Sequence, residues 1–303
     1  MNNTRLKLII NPNSGKGKAG ELTERIVKMF EEASFDVQLF LTEKRNDAKD
    51  FAKNIGDENL IVCMGGDGTL HEVINGVMER GEKIPIGYIP MGSVNDFARS
   101  LKIPRKWEKS VKNIISGKDV EIDVGKFNNT YFSYVAAAGI FTSTSYKTSQ
   151  KLKNKFGKLA YLLLGIQDLF EYRKMHLKIE VDGIEYDDDY LFVAACNTKS
   201  MGSIVKFKDE FVQLNDGNLD LLLIKYTRNI FQLAKGVRDY NKKRWNTDLL
   251  KFIHAREIKV YDRNNVTWTL DGEGSEFLDD ASNVSHISII NKGLIIRTND
   301  ENI

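Results

Sequence analysis

Short apolar runs alternate with amphipathic stretches over the first 125 residues. Leu6 to Asn11 predicts a strand, and the polar turn Pro12-Asn13-Ser14-Gly15-Lys16-Gly17 follows it. A helix comes next, with apolar residues at Leu22, Ile26, Met29 and Phe30, the 3.6-residue period. Phe35 to Leu41 predicts a second strand, Ala48 to Ile55 a second helix, and Leu60 to Met64 a buried strand that stops at Gly65. Leu70 to Met78 predicts a helix, Ile84 to Ile89 a strand, and Asn95 to Leu101 the start of a further helix. Such alternation predicts an α/β unit, a doubly wound parallel sheet covered on both faces. Sheets of this kind bind ligands at the carboxyl ends of their strands.

After Asp123 the pattern changes. Apart from one helical stretch, Tyr146 to Phe170, the segments are short and strand-like: Leu177 to Val181, Tyr190 to Ala195, Leu219 to Lys225, Glu257 to Tyr261, Thr267 to Leu270 and His286 to Ile290. Turns such as Val181-Asp182-Gly183 and Asn215-Asp216-Gly217-Asn218 separate them. The second half therefore predicts a mostly β unit, an antiparallel sandwich or barrel. The change of pattern sets domains at 1–125 and 126–289, with the segment 290–303 packing back on the first.

Composition narrows the function classes without choosing one. The 303 residues are 42% hydrophobic and 28% charged, ordinary values for a folded chain. Forty-four Lys and Arg against 42 Asp and Glu give +2, so the balance does not point to nucleic acid. Cys63 and Cys196 both lie in apolar runs, the pattern of buried thiols in a reducing compartment. The start carries no secretory pattern, and Leu159 to Leu164, the longest apolar run, falls far short of the ~20 residues of a membrane helix. The expectation is a cytoplasmic protein whose membrane contact is peripheral.

The strongest local signal is Gly65-Gly66-Asp67-Gly68-Thr69-Leu70-His71-Glu72, between a buried strand and an amphipathic helix. Glycines there let the backbone approach a ligand, and the helix start offers free N–H groups and a positive dipole end to phosphate. Thr69 adds a hydroxyl, and Asp67 is suited to hold Mg²⁺ through water. The ending Gly-Lys-Ser/Thr of a P-loop is absent, and the spacing is not the dinucleotide fingerprint. Two further loops follow parallel strands at the same sheet edge: Asn11 to Lys16, and Pro90-Met91-Gly92-Ser93-Val94-Asn95-Asp96-Phe97-Ala98-Arg99. Together they gather Ser14, Lys16, Ser93, Asn95, Asp96 and Arg99 around one crevice. Two acids, Asp67 and Asp96, beside glycine-rich cradles suit Mg²⁺-assisted phosphoryl transfer.

Asn11-Pro12-Asn13-Ser14-Gly15, Gly65 to Glu72 and Pro90 to Arg99 resemble the three signatures of the diacylglycerol kinase catalytic-domain family. The resemblance runs over nearly the whole chain. It implies an NAD kinase/phosphofructokinase-like nucleotide domain, ATP and Mg²⁺ as cofactors, and transfer of the γ-phosphoryl group to a lipid hydroxyl, with diacylglycerol as acceptor. It implies nucleotide contacts at Asn11, Pro12, Asn13, Ser14, Gly15, Lys16, Thr42, Gly65, Gly66, Asp67, Gly68, Thr69, Leu70, His71, Glu72, Gly92 and Ser93. Leu270-Asp271-Gly272-Glu273, alone a hairpin turn, resembles the family's general-base motif and implies Glu273 as base. Asp123 matches an acid that joins Asp67 and Asp96 in the catalytic set. Asp216, with the carbonyls of Gln213 and Asn218, matches a structural Mg²⁺ turn, although the uncharged Asn215 departs from the family pattern.

The resemblance also implies a lipid substrate met at a membrane surface and, since relatives are often dimers, a homodimer. Lys147-Thr148-Ser149-Gln150-Lys151-Leu152-Lys153-Asn154-Lys155-Phe156-Gly157-Lys158 is a basic run that reads either as an anionic-bilayer contact, at about 1 kcal/mol per cation, or as a solvated helix face. Two other functions fit the same loop: an NAD kinase, which shares Gly-Gly-Asp-Gly-Thr, and a non-catalytic nucleotide-binding regulator. Asn95 to Arg99 and Leu270 to Glu273 favour the lipid branch. Asp67, Asp96 and Glu273 together favour an enzyme.

Overall fold

The computed structural model describes residues 4–139, 174–198, 200–201, 205–206, 214–242, 244–262, 266–272 and 283–299. The expected helix from Tyr146 to Phe170, the basic run, Gln213 and Glu273 lie outside the described residues.

Strands β1 (Thr4–Ile10), β2 (Phe35–Leu41), β3 (Leu60–Gly65) and β4 (Pro85–Pro90) form a parallel sheet in the order β2-β1-β3-β4. Helices α1 (Lys18–Glu32), α2 (Asp47–Lys53), α3 (Asp67–Arg80), α4 (Asp96–Ser100) and α5 (Trp107–Ile115) fill the crossovers. Side chains of a strand alternate between faces. Leu6, Leu8 and Ile10 of β1 pack with Ile26 and Phe30 of α1 and with Val111 and Ile114 of α5. Ile9, on the opposite face, packs with Ala48 and Ala52 of α2 and Leu70, Val73 and Ile74 of α3. Both faces of the sheet are covered, so β3 is buried at every position.

The β-rich half comprises β5 (Lys118–Phe127), β6 (Thr130–Phe132), β7 (Val135–Gly139), β8 (Met175–Val181), β9 (Ile184–Cys196), the two-residue pair β10 (Ser200–Met201) and β11 (Val205–Lys206), β12 (Leu219–Lys225), β13 (Leu250–Ala255), β14 (Glu257–Asp262), β15 (Trp268–Leu270) and β16 (Val284–Thr298). Strand β9 joins the layers: its first half pairs with β8, its second with both β12 and β7. Between them lies a core that includes Phe127, Phe132, Tyr190, Val193, Leu221 and Trp268.

Long strands tie the halves together. Strand β16 runs antiparallel to β5 along most of its length, pairs with β14 in its first half, and sets Ile295 and Ile296 parallel to Pro85 and Ile86 of β4. The expected strand from His286 to Ile290 is therefore too short. Asn291-Lys292-Gly293 looks like a stop, but the pairing register shifts between Ile290 and Leu294 and the strand continues through a bulge. Strand β9 likewise extends beyond the expected Tyr190 to Ala195. Helix α5, helix α6 (Ile230–Asn241) and strand β13 had no counterpart among the expected elements. In α6 the Asn229 side chain caps the first turn, accepting from the Phe231 N–H at 2.9 Å. Gly236 weakens its helical signal, yet a Cβ there would lie 2.3 Å from Leu249 Cδ2, so the glycine lets Leu249 pack closely against the helix.

Candidate active site

Three strand-to-helix loops meet at the carboxyl ends of β1, β3 and β4. The Asn11 N–H donates to Met64 O at 3.0 Å, and the Met91 N–H to Gly65 O at 2.7 Å. Asn11 Nδ2 reaches Thr69 Oγ1 at 3.3 Å. The backbones of the second and third loops touch: a Cβ on Gly92 would stand 2.9 Å from Gly66 Cα. A side chain at position 92 would push the loops apart, which is the physical demand behind Gly92, whereas a Cβ on Gly66 would make only an ordinary contact, 3.5 Å from Gly92 Cα. A cleft of ≈ 560 Å³ opens beside this junction. Of the residues assigned to the nucleotide, Asn11, Asn13, Ser14, Thr42, Gly66, Gly68, Thr69, His71 and Glu72 line it.

Other expected nucleotide residues sit elsewhere. Leu70 is fully buried in the core between sheet and helices. Gly15 and Gly92 line a second recess, on the side of α1 and α5. Pro12, Lys16, Gly65, Asp67 and Ser93 are not among the residues lining the cleft. The cleft wall also takes in Lys44, Arg45, Lys49, Asn75, Glu79 and Thr130, which the motifs did not single out. The loop after β2 supplies Lys44 and Arg45 and helix α2 supplies Lys49, and no spacing in the sequence marks them as ligand contacts.

Asp67 opens α3 and reaches across to the third loop. One carboxylate oxygen accepts from the Asn95 N–H at 2.8 Å. The other, Oδ1, is buried without a hydrogen-bond partner. Burial pushes the Asp67 carboxyl up to about 6, helped by the charges of Asp96 and Asp271, while the N–H groups of Asn95 and Asp96 pull it down. Asp96 is buried and pairs with Arg99 at 3.1 Å. Buried polar atoms are almost always satisfied, so an orphan carboxylate oxygen beside a second acid marks a place suited to a cation or donor. Among the described residues no three His, Cys, Asp or Glu side chains converge into a metal site. A cation at Asp67 would have to draw most of its oxygen ligands from phosphate and water.

Asp271, within the Leu270 to Glu273 motif, is the residue the sequence reading passed over. It is 2% exposed and accepts from Ser133 N (2.7 Å), Ser133 Oγ (3.0 Å), Tyr134 N (2.9 Å), Val135 N (3.1 Å) and His71 Nδ1 (3.0 Å). His71 lies four residues into the Gly-rich loop's helix, so the two motifs touch across the molecule.

Asp123 does not join Asp67 and Asp96 by any hydrogen bond. It is fully buried, and its two oxygens accept from the N–H groups of Gly217 and Lys292, both at 2.6 Å. Its carboxylate holds the turn around Asp216 against the bulge of β16. Asp216 is exposed and accepts from the Asn218 N–H at 2.9 Å, an Asp-centred turn.

Similarity to known proteins agrees with this geometry. Residues 5–127 match the diacylglycerol kinase catalytic domain, and residues 135–285 match the YegS C-terminal NAD kinase beta sandwich-like domain. A diacylglycerol kinase of Staphylococcus aureus (strain bovine RF122 / ET3-1) is 34% identical over 274 residues, 89% of this chain and 86% of that one. One from Staphylococcus carnosus (strain TM300) is 36% identical over 223 residues, 73% of this chain and 72% of its own. The crystal structure of a diacylglycerol kinase from Bacillus anthracis str. Sterne superposes with a TM-score of 0.76 at 23% identity over the full length of both chains, a likeness of fold. Among the described residues no helix is long and apolar enough to cross a membrane. The chain belongs to the diacylglycerol kinase catalytic-domain family and is a kinase that acts on a lipid alcohol.

Proposed function

We propose that the chain transfers the γ-phosphoryl group of ATP to the hydroxyl of diacylglycerol, giving phosphatidic acid and ADP. The observation that carries the reading is the ≈ 560 Å³ cleft, walled by the Asn11 and Gly65 loops, with the orphan oxygen of Asp67 beside it. The diacylglycerol kinases of two Staphylococcus species support the choice of acceptor. On this reading residues 1–125 hold the nucleotide and 126–289 the lipid, with the segment 290–303 joined to the first.

The α3 N-terminus and the N–H groups of the Gly65 to Thr69 loop face the phosphates, where they favour negative charge. Thr42 sits at the end of β2 on the same wall, its N–H donating to Ile10 O at 2.9 Å. Asp67 and Asp96 would hold Mg²⁺, which supplies neutralisation of the phosphate charge when bound. The lipid hydroxyl oxygen bonds to the γ-phosphorus, the bond from that phosphorus to the bridging oxygen breaks, and ADP leaves. The proton passes to a carboxylate that must sit within reach of the hydroxyl; the motif assigns this to Glu273. A second cation on Asp216, with the carbonyls of Gln213 and Asn218, is supported by a carboxylate oxygen that has no other bond among the described residues.

The membrane contact is supported by an exposed set of cations, Lys18, Arg105, Lys106, Lys109 and Lys112, around the ≈ 840 Å³ recess beside Trp107. Among the described residues none of them is in an ion pair. The deciding assay gives the protein labelled ATP and Mg²⁺ with detergent-dispersed diacylglycerol, a polyprenol, a sphingoid base, or NAD. Label in phosphatidic acid is the expected result. Label only in another lipid would replace the acceptor, and label only in NAD would overturn the lipid reading.

A further inference from the structure

We infer that His71 and Asp271 form a positioning pair that ties the nucleotide cleft to the turn leading into Glu273, an inference that rests on the lipid-kinase reading above. The two residues are 200 positions apart and 3.0 Å from each other, and both are nearly inaccessible. His71 lines the cleft on one side and meets Asp271 with its Nδ1.

The ring is held from both ends. Asn75 accepts from the Tyr131 N–H at 2.9 Å and donates through Nδ2 to Tyr131 O at 2.9 Å, which fixes which end of its amide is nitrogen. That nitrogen lies 3.3 Å from His71 Nε2. Its two hydrogens go to Tyr131 O and to His71 O, the latter also at 2.9 Å, so the tautomer is set on the other side of the ring: a carboxylate only accepts, and Nδ1–H therefore donates to Asp271. The tautomer and the ring plane follow from this.

Asp271 is held as firmly on its own side. Besides its side-chain bonds, its N–H donates to Val135 O at 2.8 Å and its carbonyl accepts from Tyr134 Oη at 2.6 Å. Asp271 and Gly272 both have left-handed backbone, with φ of 54° and 81°. Two such residues in succession turn the chain sharply, and a non-glycine residue keeps that conformation only when its surroundings enforce it. The saturated carboxylate does so. The backbone turn at Asp271 and Gly272 is therefore held by a residue bonded to the Gly-rich loop's own helix.

Phosphoryl transfer is sensitive to placement, and a misplacement of about 1 Å costs roughly 10²-fold in rate. A pair that registers the base-bearing turn against α3 supplies placement without touching a reacting atom. This predicts a specific kinetic signature: turnover depends on the Nδ1–H donor, and ATP affinity does not.

The experiment compares the full-length His71→Leu and His71→Asn variants. Leucine removes the donor, whereas the asparagine amide nitrogen falls near the position of Nδ1 and keeps it. Asp271 retains four of its five donors in His71→Leu and all five in His71→Asn, so the fold is preserved, which thermal melting checks. His71→Leu should lower kcat for lipid phosphorylation about 10- to 100-fold, with KM for ATP and calorimetric ATP binding within about threefold. His71→Asn should restore kcat to within about fivefold of wild type. Unchanged kcat in His71→Leu would overturn the pair, as would an equal loss in both variants or a loss matched by weakened ATP binding. A wild-type protein that phosphorylates no lipid would overturn the lipid-kinase reading and the pair with it.

Discussion

The carboxylates of Asp67 and Asp271 sit in two motifs that meet across the same cleft, and their surroundings treat them in opposite ways. Asp271 takes five donors, four from residues 133–135 and one from His71. Asp67 has one oxygen bonded to the third loop and one with no partner. Its carboxyl is pushed up by burial and by the charge of its two acidic neighbours. A saturated carboxylate is finished as a structural object and fixes whatever is attached to it. A starved one is a standing cost that only a ligand or cation relieves. On the function proposed above, the contrast separates the residue that places the turn from the residue that waits for the substrate.

The largest effect should come from breaking the saturated partner. Asp271→Ala leaves the N–H groups of Ser133, Tyr134 and Val135 buried without an acceptor. Removing one partner of such a buried charged cluster costs about 3–5 kcal/mol. Urea unfolding should show the loss as a lower midpoint at an unchanged slope. A midpoint within error of wild type would mean that Asp271 fixes nothing.

Next in size is the activity of Asp67→Asn. The substitution keeps the shape and the acceptor facing the Asn95 N–H but removes the charge. If Asp67 serves charge neutralisation in phosphoryl transfer, turnover should fall about 10²–10³-fold. Its unfolding midpoint should not fall, the reverse of the Asp271 result. Wild-type turnover would place the cation elsewhere.

Both carboxylates stood in motifs legible in the chain, yet only Asp67 was assigned a role from them. The loop at Gly65 declares itself locally, because glycines, a buried strand and a helix start are contiguous and their consequence for phosphate follows from backbone chemistry. Asp271 acts through residues 133–135 and 71, and that pairing of β15 with β7 is a long-range register no local pattern encodes. The partners of Asp123 are equally remote: its two carboxylate oxygens accept from the N–H groups of Gly217 and Lys292, 94 and 169 residues away. The parallel half was readable because each strand is followed by the helix that covers it. In the β-rich half, α6 carries a glycine at its packing face, and β16 passes through a bulge that reads as a stop.

A smaller effect sharpens the same contrast through pH. The folded-state pKa of Asp67, about 6, lies above its ordinary 3.8. Between those values the folded chain holds the proton better than the unfolded chain does. That stabilisation is complete below pH 3.8 and is lost as the pH rises toward 6, leaving the ionised carboxylate as a penalty. Asp67→Asn should therefore stabilise the ligand-free protein at pH 7.5, by on the order of 1–2 kcal/mol, and have little effect at pH 4. A gain independent of pH would show that the penalty is not one of charge.

The smallest effect is expected away from both acids and tests whether the cleft's chemistry is separable from delivery to a surface. Lys109 and Lys112 are exposed on α5 and donate to neither Asp67 nor Asp271, although they share the recess with Asn95, whose N–H bonds Asp67. Each cation near an anionic bilayer contributes about 1 kcal/mol. Lys109→Glu should weaken sedimentation with phosphatidylglycerol vesicles by roughly fivefold or more, and raised salt should narrow the gap between variant and wild type as the field is screened. Turnover on a short-chain, water-dispersed diacylglycerol should stay unchanged, because neither carboxylate has lost a partner. Equal vesicle binding by variant and wild type would remove α5 from the docking surface, and a matching fall on the dispersed substrate would mean that the recess belongs to the active site after all.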